Sequence, residues 1–188
     1  MKYILILVIC CFFYSGTVYS NAVTHLLEKD GLKYAVNKDK PFTGTYIESY
    51  SNGQKKSDAK YKQGIQDGLS TKWFNNGQKK DDVNFTNGKA NGLTTHWYDN
   101  GQKKAEVNFK DGKPNGLATQ WYKNGEMESE GNYKEGKKDG LSTIWGENGK
   151  KLMEVNFTNN QKDGLATFWG ENGLNPNKIH FKNDKKVK

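Results

Sequence analysis

A period of 24 residues runs through most of this chain and restricts it to a repeat architecture. Counting each repeat from its glycine as position 0, position 1 is leucine in five copies, position 5 is tryptophan in five, and positions 8 and 9 are Asn-Gly in all six. A fixed period of this size marks stacked units that bury their apolar surface only against one another. The position-0 residues are Gly44, Gly68, Gly92, Gly116, Gly140 and Gly164.

Each repeat is predicted to be a β-hairpin. Asn-Gly between two runs of alternating residues is a strong short-range hairpin signal, and a short glycine-containing turn such as residues 86–91 would join one hairpin to the next. We therefore expect an all-β fold, an elongated single-layer antiparallel β-meander of six hairpins over residues 31–184. Leu32–Val36 would add one further strand. The glycines of the Asn-Gly turns shape the repeat together with those at position 0; they include Gly77, Gly101, Gly125 and Gly149.

Side-chain alternation suggests which residues share a face. A three-residue turn ending in a left-handed Gly77 would oppose Leu69 to Val83 and Trp73 to Lys79. One face would then carry Leu, Thr, Trp, Val and the aromatic residue at position 17. The other would carry the lysines at position 12, the acids at position 14, the asparagines at position 16 and an aromatic row at position 6. A two-residue turn remains as the alternative, and it buries less apolar surface.

An apolar face on a single sheet needs a cover. Packing of its own aromatic side chains under strong twist, a partner, or a second copy of the chain could each provide one. Partner contacts are expected from aromatic side chains of both faces. These candidates are Trp73, Trp97, Trp121, Phe74, Tyr98 and Tyr122.

The two ends of the chain predict separate roles. Residues 1–20 combine Lys2, an apolar run over residues 4–13 and a small residue before Asn21, which is typical of a secretory signal. The protein is therefore expected in the periplasm, the outer envelope or the extracellular space; a lipoprotein attached at Cys10 is the weaker alternative. Residues 21–30 would form a short cap with a helix over residues 22–28. Residues 185–188 would be a lysine-rich tail.

Composition and motifs argue against several classes of function. The chain carries a net charge of +8 but no arginine, which disfavours specific nucleic-acid recognition. The three histidines are scattered without metal-ligand spacing. No nucleophile elbow, phosphate loop or kinase motif is present. We expect no catalytic residue, metal or cofactor.

The segments Tyr-Lys-Asn-Gly-Glu (122–126) and Glu-Gly-Asn-Tyr-Lys-Glu-Gly-Lys-Lys-Asp-Gly-Leu (130–141) resemble the variant MORN repeat of bacteria. Lys-Pro-Phe-Thr-Gly (40–44) is similar to the start of the repeat region in the YwqK family, whose members are commonly labelled antitoxins of toxin–antitoxin systems. The resemblance covers about residues 31–184 and implies a β-meander that binds proteins or membranes without catalysis. Repeats 5 and 6 depart from the pattern, with glycine in place of the second aromatic residue.

Three functions are compatible with the sequence. The first is a non-catalytic exported module that binds an unidentified protein partner. The second is an antitoxin or immunity protein that neutralises one toxin. The third is a binder of the anionic envelope or membrane surface, favoured by the lysine excess and opposed by the acids at position 14.

The signal sequence gives a direct prediction. Expression in a bacterial host should export the protein and remove residues 1–20, because the small residues before Asn21 suit a signal peptidase. Intact-mass measurement of the exported protein should therefore give a chain that begins at Asn21. Recovery of a lipid-modified chain that begins at Cys10 would contradict this prediction.

Overall fold

Hairpins follow one another along the chain in the computed structural model, which describes residues 23, 25–170 and 176–187. The predicted signal sequence lies outside the described residues. The strands are β1 Leu26–Lys29, β2 Leu32–Ala35, β3 Gly44–Ser49, β4 Lys55–Lys62, β5 Ile65–Trp73, β6 Lys79–Thr86, β7 Lys89–Ala90, β8 Gly92–Trp97, β9 Lys103–Lys110, β10 Lys113–Trp121, β11 Met127–Lys134, β12 Lys137–Trp145, β13 Lys151–Thr158, β14 Gln161–Phe168, β15 Asn177–Lys182 and β16 Lys185–Val187.

The main sheet is the predicted antiparallel meander. Strands β3 to β16 pair in chain order, with β7 and β8 forming one strand that is broken at Asn91. The six repeats supply the twelve expected strands, two to a hairpin. Within the described residues no helix occurs, so none is long or apolar enough to span a bilayer.

Both ends of the repeat region differ from the prediction. The expected helix over residues 22–28 is wrong, because Leu26–Lys29 pairs with Leu32–Ala35 in a separate two-stranded sheet. The tight turn at Asp30-Gly31, with both residues at positive φ, favours this hairpin over a helix. The predicted tail also contains a strand, since a turn at Asn183-Asp184 returns β16 along β15.

The N-terminal hairpin lies against the first repeat. Lys33 donates its backbone N–H to the carbonyl of Gly64 at 3.0 Å, and Phe42 donates its N–H to the carbonyl of Lys33 at 2.7 Å. Burial is the leading reason that the pKa of Tyr61, on β4, is raised. The N-terminal segment therefore contacts the start of the repeat region as a hairpin.

The predicted register is right at the turn and wrong beyond it. Gly77 is left-handed and Trp73 pairs with Lys79, as expected. A β-bulge then adds Lys80 to one strand, so that Leu69 pairs with Asn84, and Ser70 pairs with Val83. An equivalent shift occurs in the hairpins of repeats 1, 3, 4 and 5. Because one extra residue reverses every subsequent side chain, valine and leucine lie on opposite faces.

The sheet consequently has two mixed faces. We call the face of positions 1, 3 and 5 the tryptophan face; it also carries the lysine at position 11, the acid at position 14 and the asparagine at position 16. We call the other face the valine face; it carries positions 2, 4, 13, 15 and 17, with the lysine at position 12 and the aromatic residue at position 6. The single apolar face predicted from the sequence is thus divided between the two surfaces.

Few side chains are fully buried. The buried apolar residues among those described are Ala59, Val155, Ala166 and Phe181, and three of them form a small core near the C-terminal end of the valine face. The remaining buried side chains are serines and threonines, including a threonine at position 3 in five repeats. Four of the five leucines at position 1 stay exposed, from 39% at Leu69 to 44% at Leu93, and Leu165 is half-buried. Apolar burial alone is therefore a weak source of stability here.

At one end of the strands, hydrogen bonds between the Asn-Gly turns connect successive repeats. The Asn100 carboxamide accepts a hydrogen bond from the N–H of Gln102 in its own turn, at 3.1 Å, and donates to the carbonyl of Lys123 in the next turn, at 3.0 Å. The asparagines at position 8 of the neighbouring repeats, Asn76 and Asn124, make the same pair of bonds. The turns of repeats 2, 3 and 4 are thus each tied to the following turn as well as closed on themselves.

At the other end of the strands, the two-residue turns at positions 19 and 20 connect successive repeats. Both residues have positive φ, as a type I′ turn requires, even where the first is glutamine or glutamate. The Gly88 N–H donates to the carbonyl of Gln66, 22 residues earlier, at 2.8 Å, and equivalent bonds recur along the sheet. The Asp67 carboxylate accepts from the N–H of Asn87 at 3.1 Å and supports this contact.

Two valines at position 15 give a matched test of this packing. Val155 is 1% exposed and Val107 is half-buried. Val155→Ala should lower the free energy of unfolding by about 2 kcal/mol, since it removes fully buried methyl groups and leaves a cavity. Val107→Ala should cost less than half as much. Urea unfolding followed by tryptophan fluorescence measures both, and equal costs would contradict the placement of the core.

Candidate functional site

A groove of about 580 Å³ opens on the valine face of repeats 2 and 3. Strands β6, β8 and β9 form it side by side, and the turn that follows β8 closes one end. Its lining combines aromatic rings, cations and carboxylates in one concavity. The lining residues are Phe74, Lys80, Asp81, His96, Trp97, Tyr98, Asp99, Lys104 and Ala105.

Phe74 interrupts a regular series of hydrogen bonds at this groove. At the same position in repeat 3, the Tyr98 hydroxyl donates to the carbonyl of Trp121 at 2.9 Å. Tyr50 and Tyr122 donate in the same way to the tryptophan carbonyl of the following repeat, each at 2.8 Å. Phe74 has no hydroxyl, so it cannot make this bond to Trp97, which also lines the groove. The groove therefore combines an apolar ring with a carbonyl that lacks its usual tyrosine donor.

Two lysines of the groove lie over its aromatic rings. The Nζ atoms of Lys80 and Lys104 lie 5.6 Å from the ring centroids of Phe74 and Tyr98, respectively, within the range of cation–π attraction. Within the described part of the chain, neither ammonium group has a carboxylate partner. The β-bulge puts position 12 on the same face as position 13, so that Lys80 lies beside Asp81, and Lys104 beside Ala105, on the valine face.

The preceding lysines are arranged differently. Lys79 and Lys103 lie on the tryptophan face and form ion pairs with the acids at position 14, at 2.8 Å and 2.7 Å. Each also lies over the tryptophan ring of the next repeat. Adjacent lysines in the sequence thus have paired charges on one face and unpaired charges on the other.

The carboxylates of the groove are already engaged. Asp81 and His96, on neighbouring strands, lie 2.6 Å apart between carboxylate Oδ1 and imidazole Nδ1. Asp99 pairs with Lys123 at 2.7 Å, and the hydrogen bond and charge of that lysine lower the pKa of Asp99. Both carboxylates therefore have a partner, whereas Lys80 and Lys104 have no carboxylate partner among the described residues. Counting Lys123, the groove holds three ammonium groups and two carboxylates.

The residues predicted to contact a partner are divided by the structure. Phe74 and Tyr98 line the groove, and Tyr122 lies outside it. Trp73, Trp97 and Trp121 all belong to the tryptophan face, where a lysine of the preceding repeat lies over each ring, although Trp97 also borders the groove. Sequence reasoning missed Lys80, Asp81, His96 and Lys104. Positions 4 and 13 vary between repeats, and that variability was the available signal for Asp81 and His96.

The chemistry of the groove is that of noncovalent recognition. It offers two ammonium groups, two aromatic rings, an imidazole and a carbonyl acceptor. In the described ranges, no three histidine, cysteine or acidic side chains are grouped to hold a metal ion.

The tyrosine series predicts a reciprocal pair of effects. Phe74→Tyr should raise the free energy of unfolding by about 0.5–1.5 kcal/mol, because its hydroxyl can donate to the Trp97 carbonyl as the other tyrosines do. Tyr98→Phe should lower it by a similar amount through loss of the bond to Trp121. Urea unfolding of both variants measures the pair. A destabilised Phe74→Tyr variant would show that the carbonyl is not accessible to this side chain.

Comparison with known protein families agrees with the hairpin geometry. Residues 90–111, 114–135 and 138–159 match the family described as the MORN repeat variant. No curated protein matches the sequence. MORN repeats are non-catalytic binding modules, and a binding role fits the groove described above. Three consecutive segments in the central part of this chain are therefore similar to the MORN repeat variant, and they lie within a sheet of six hairpins with the same period.

Proposed function

We propose that this protein is an exported, non-catalytic module that binds a protein partner through the groove on its valine face. The observation that carries the proposal is the groove itself, which places Phe74, Tyr98 and the Trp97 carbonyl beside two unpaired ammonium groups. Aromatic anchors surrounded by polar groups are typical of the energetic centres of protein interfaces. The match to MORN repeat variants supports a binding role.

The contrast between the two faces supports the choice of surface. The tryptophan face repeats the same leucine, threonine and tryptophan in repeats 2 to 6, whereas positions 4 and 13 of the valine face vary between repeats. In repeat 3 position 4 is His96, and in repeat 5 it is Ile144. The residues that recur along the tryptophan face stabilise the sheet in every repeat. The residues that vary on the valine face make the groove of repeats 2 and 3 different from the rest of that face.

Of the two other functions, the antitoxin is a special case of this proposal and the surface binder is an alternative to it. An antitoxin or immunity protein would use the same groove for one dedicated toxin. A binder of the anionic envelope surface would depend on the lysine excess, but the ion pairs of the tryptophan face reduce the free positive charge there. The groove favours a partner that inserts side chains over a flat charged surface.

A pull-down with matched variants tests the proposal. The chain from Asn21 would be immobilised and exposed to the envelope fraction of its host. Phe74→Ala/Tyr98→Ala removes the aromatic rings of the groove, and Leu69→Ala/Leu93→Ala removes exposed apolar side chains from the opposite face. We expect one protein to be retained by the wild type and by the leucine variant and lost by the groove variant.

Circular dichroism of each variant is the control for folding, and Phe74→Tyr replaces the double variant if that one unfolds. A protein lost only by the leucine variant would move the site to the tryptophan face. Retention of lipid without any protein would contradict the proposal and favour a surface binder. If the retained protein is a toxin, the antitoxin function follows.

A further inference from the structure

The two unpaired lysines of the groove define a spacing. Lys80 lies on β6 and Lys104 on β9, and β8 lies between them. With neighbouring strands about 4.8 Å apart, two strand spacings separate these backbone positions by about 10 Å. Each lysine lies over the aromatic ring of its own hairpin, Lys80 over Phe74 and Lys104 over Tyr98. The two rings are therefore also one repeat apart. The groove thus presents two equivalent ring-and-cation units about 10 Å apart.

A ligand that matches both units needs two anionic groups at that distance on one side. In a polyproline II helix the chain rises about 3.1 Å per residue with three residues per turn, so side chains at i and i+3 point the same way about 9 Å apart. In a β-strand, residues three apart point to opposite sides. An acidic residue at every third position of a polyproline II segment therefore fits the lysine spacing, and the same acids on a strand do not.

The other groups of the groove suit the same ligand. Polyproline II segments bind grooves lined with aromatic side chains, and their backbone has no internal hydrogen bonds. A free N–H of such a segment can donate to the Trp97 carbonyl, which lacks the tyrosine donor found at its equivalents. The engaged carboxylates of Asp81 and Asp99 leave the lysine ammonium groups available to the ligand.

We infer that the groove receives an acidic polyproline II segment of the partner protein, with carboxylates three residues apart contacting Lys80 and Lys104. This inference rests on the proposed function and specifies the chemistry of the partner. The segment lies across the strands, with its carboxylates on the ammonium groups and its proline rings against Phe74 and Tyr98.

The probe is a synthetic peptide, acetyl-Pro-Glu-Pro-Pro-Glu-Pro-Pro-Glu-Pro-amide. Two matched peptides accompany it: one with glutamine in place of each glutamate, and one of the same composition with the three glutamates adjacent. Amide and indole chemical shifts of the folded chain are followed during titration at low salt. We expect shifts at the groove, with the spaced peptide binding at least about fivefold more tightly than either control.

Charge variants of the protein complete the test. Lys80→Gln/Lys104→Gln should weaken binding of the spaced peptide about tenfold. Lys79→Gln/Lys103→Gln removes the same charge from the tryptophan face and should leave the affinity within about twofold. An equal loss of affinity in the two variants would show that binding depends only on net charge, and it would overturn the inference.

Two other outcomes would also overturn it. One is binding of the adjacent-glutamate peptide as tightly as the spaced one. The other is binding of vesicles containing phosphatidylglycerol that depends on Lys80 and Lys104, while no peptide binds. These results are distinguishable from a failure of the proposed function. A protein that is retained through Phe74 and Tyr98 but is indifferent to Lys80→Gln/Lys104→Gln leaves the protein-binding role intact and removes only the acidic segment.

Discussion

Hydrogen bonds between successive repeats are the constraint on which this structure depends. The described chain forms a single main sheet with a small apolar core, so that no second layer buries its surfaces. Strand pairing supplies the first set of contacts between repeats. The turns supply a second set at both ends of the strands, through the asparagines at position 8 and the backbone amides at position 20. Because each repeat contacts only its neighbours, stability is expected to be a sum of nearest-neighbour terms.

This arrangement explains how the fold can tolerate a binding site. The groups that connect the repeats lie at the turns and on the tryptophan face, where lysine, acid, threonine and tryptophan recur together. The valine face is less constrained, and its positions 4 and 13 carry side chains that vary between repeats. At the groove, replacement of one tyrosine by Phe74 removes a hydrogen bond that the neighbouring repeats keep. A local departure from the repeat thus coincides with the concavity.

The sequence was sufficient for the repeat, its hairpins and the left-handed turn glycine, because these depend on short-range backbone preferences. It was insufficient for the faces, because a bulge at Lys80 cannot be recognised from alternation alone and reverses every side chain after it. The N-terminal segment was mistaken for a helix because Val23, Leu26 and Leu27 have helical spacing. It is a strand because it pairs with Leu32–Ala35, and Leu27 stays 49% exposed. The groove depends on contacts between repeats, such as Asp81 with His96, which a one-repeat pattern does not contain.

Residue-resolved amide hydrogen exchange of the folded chain tests the central claim most directly. If bonds between repeats hold the sheet, the turn amides of the middle repeats, such as Gly88 and Gly112, should exchange about as slowly as amides within the strands. Protection should fade only toward the two ends of the sheet. Turn amides that exchange at the rate of an unstructured chain, beside protected strands, would contradict the account.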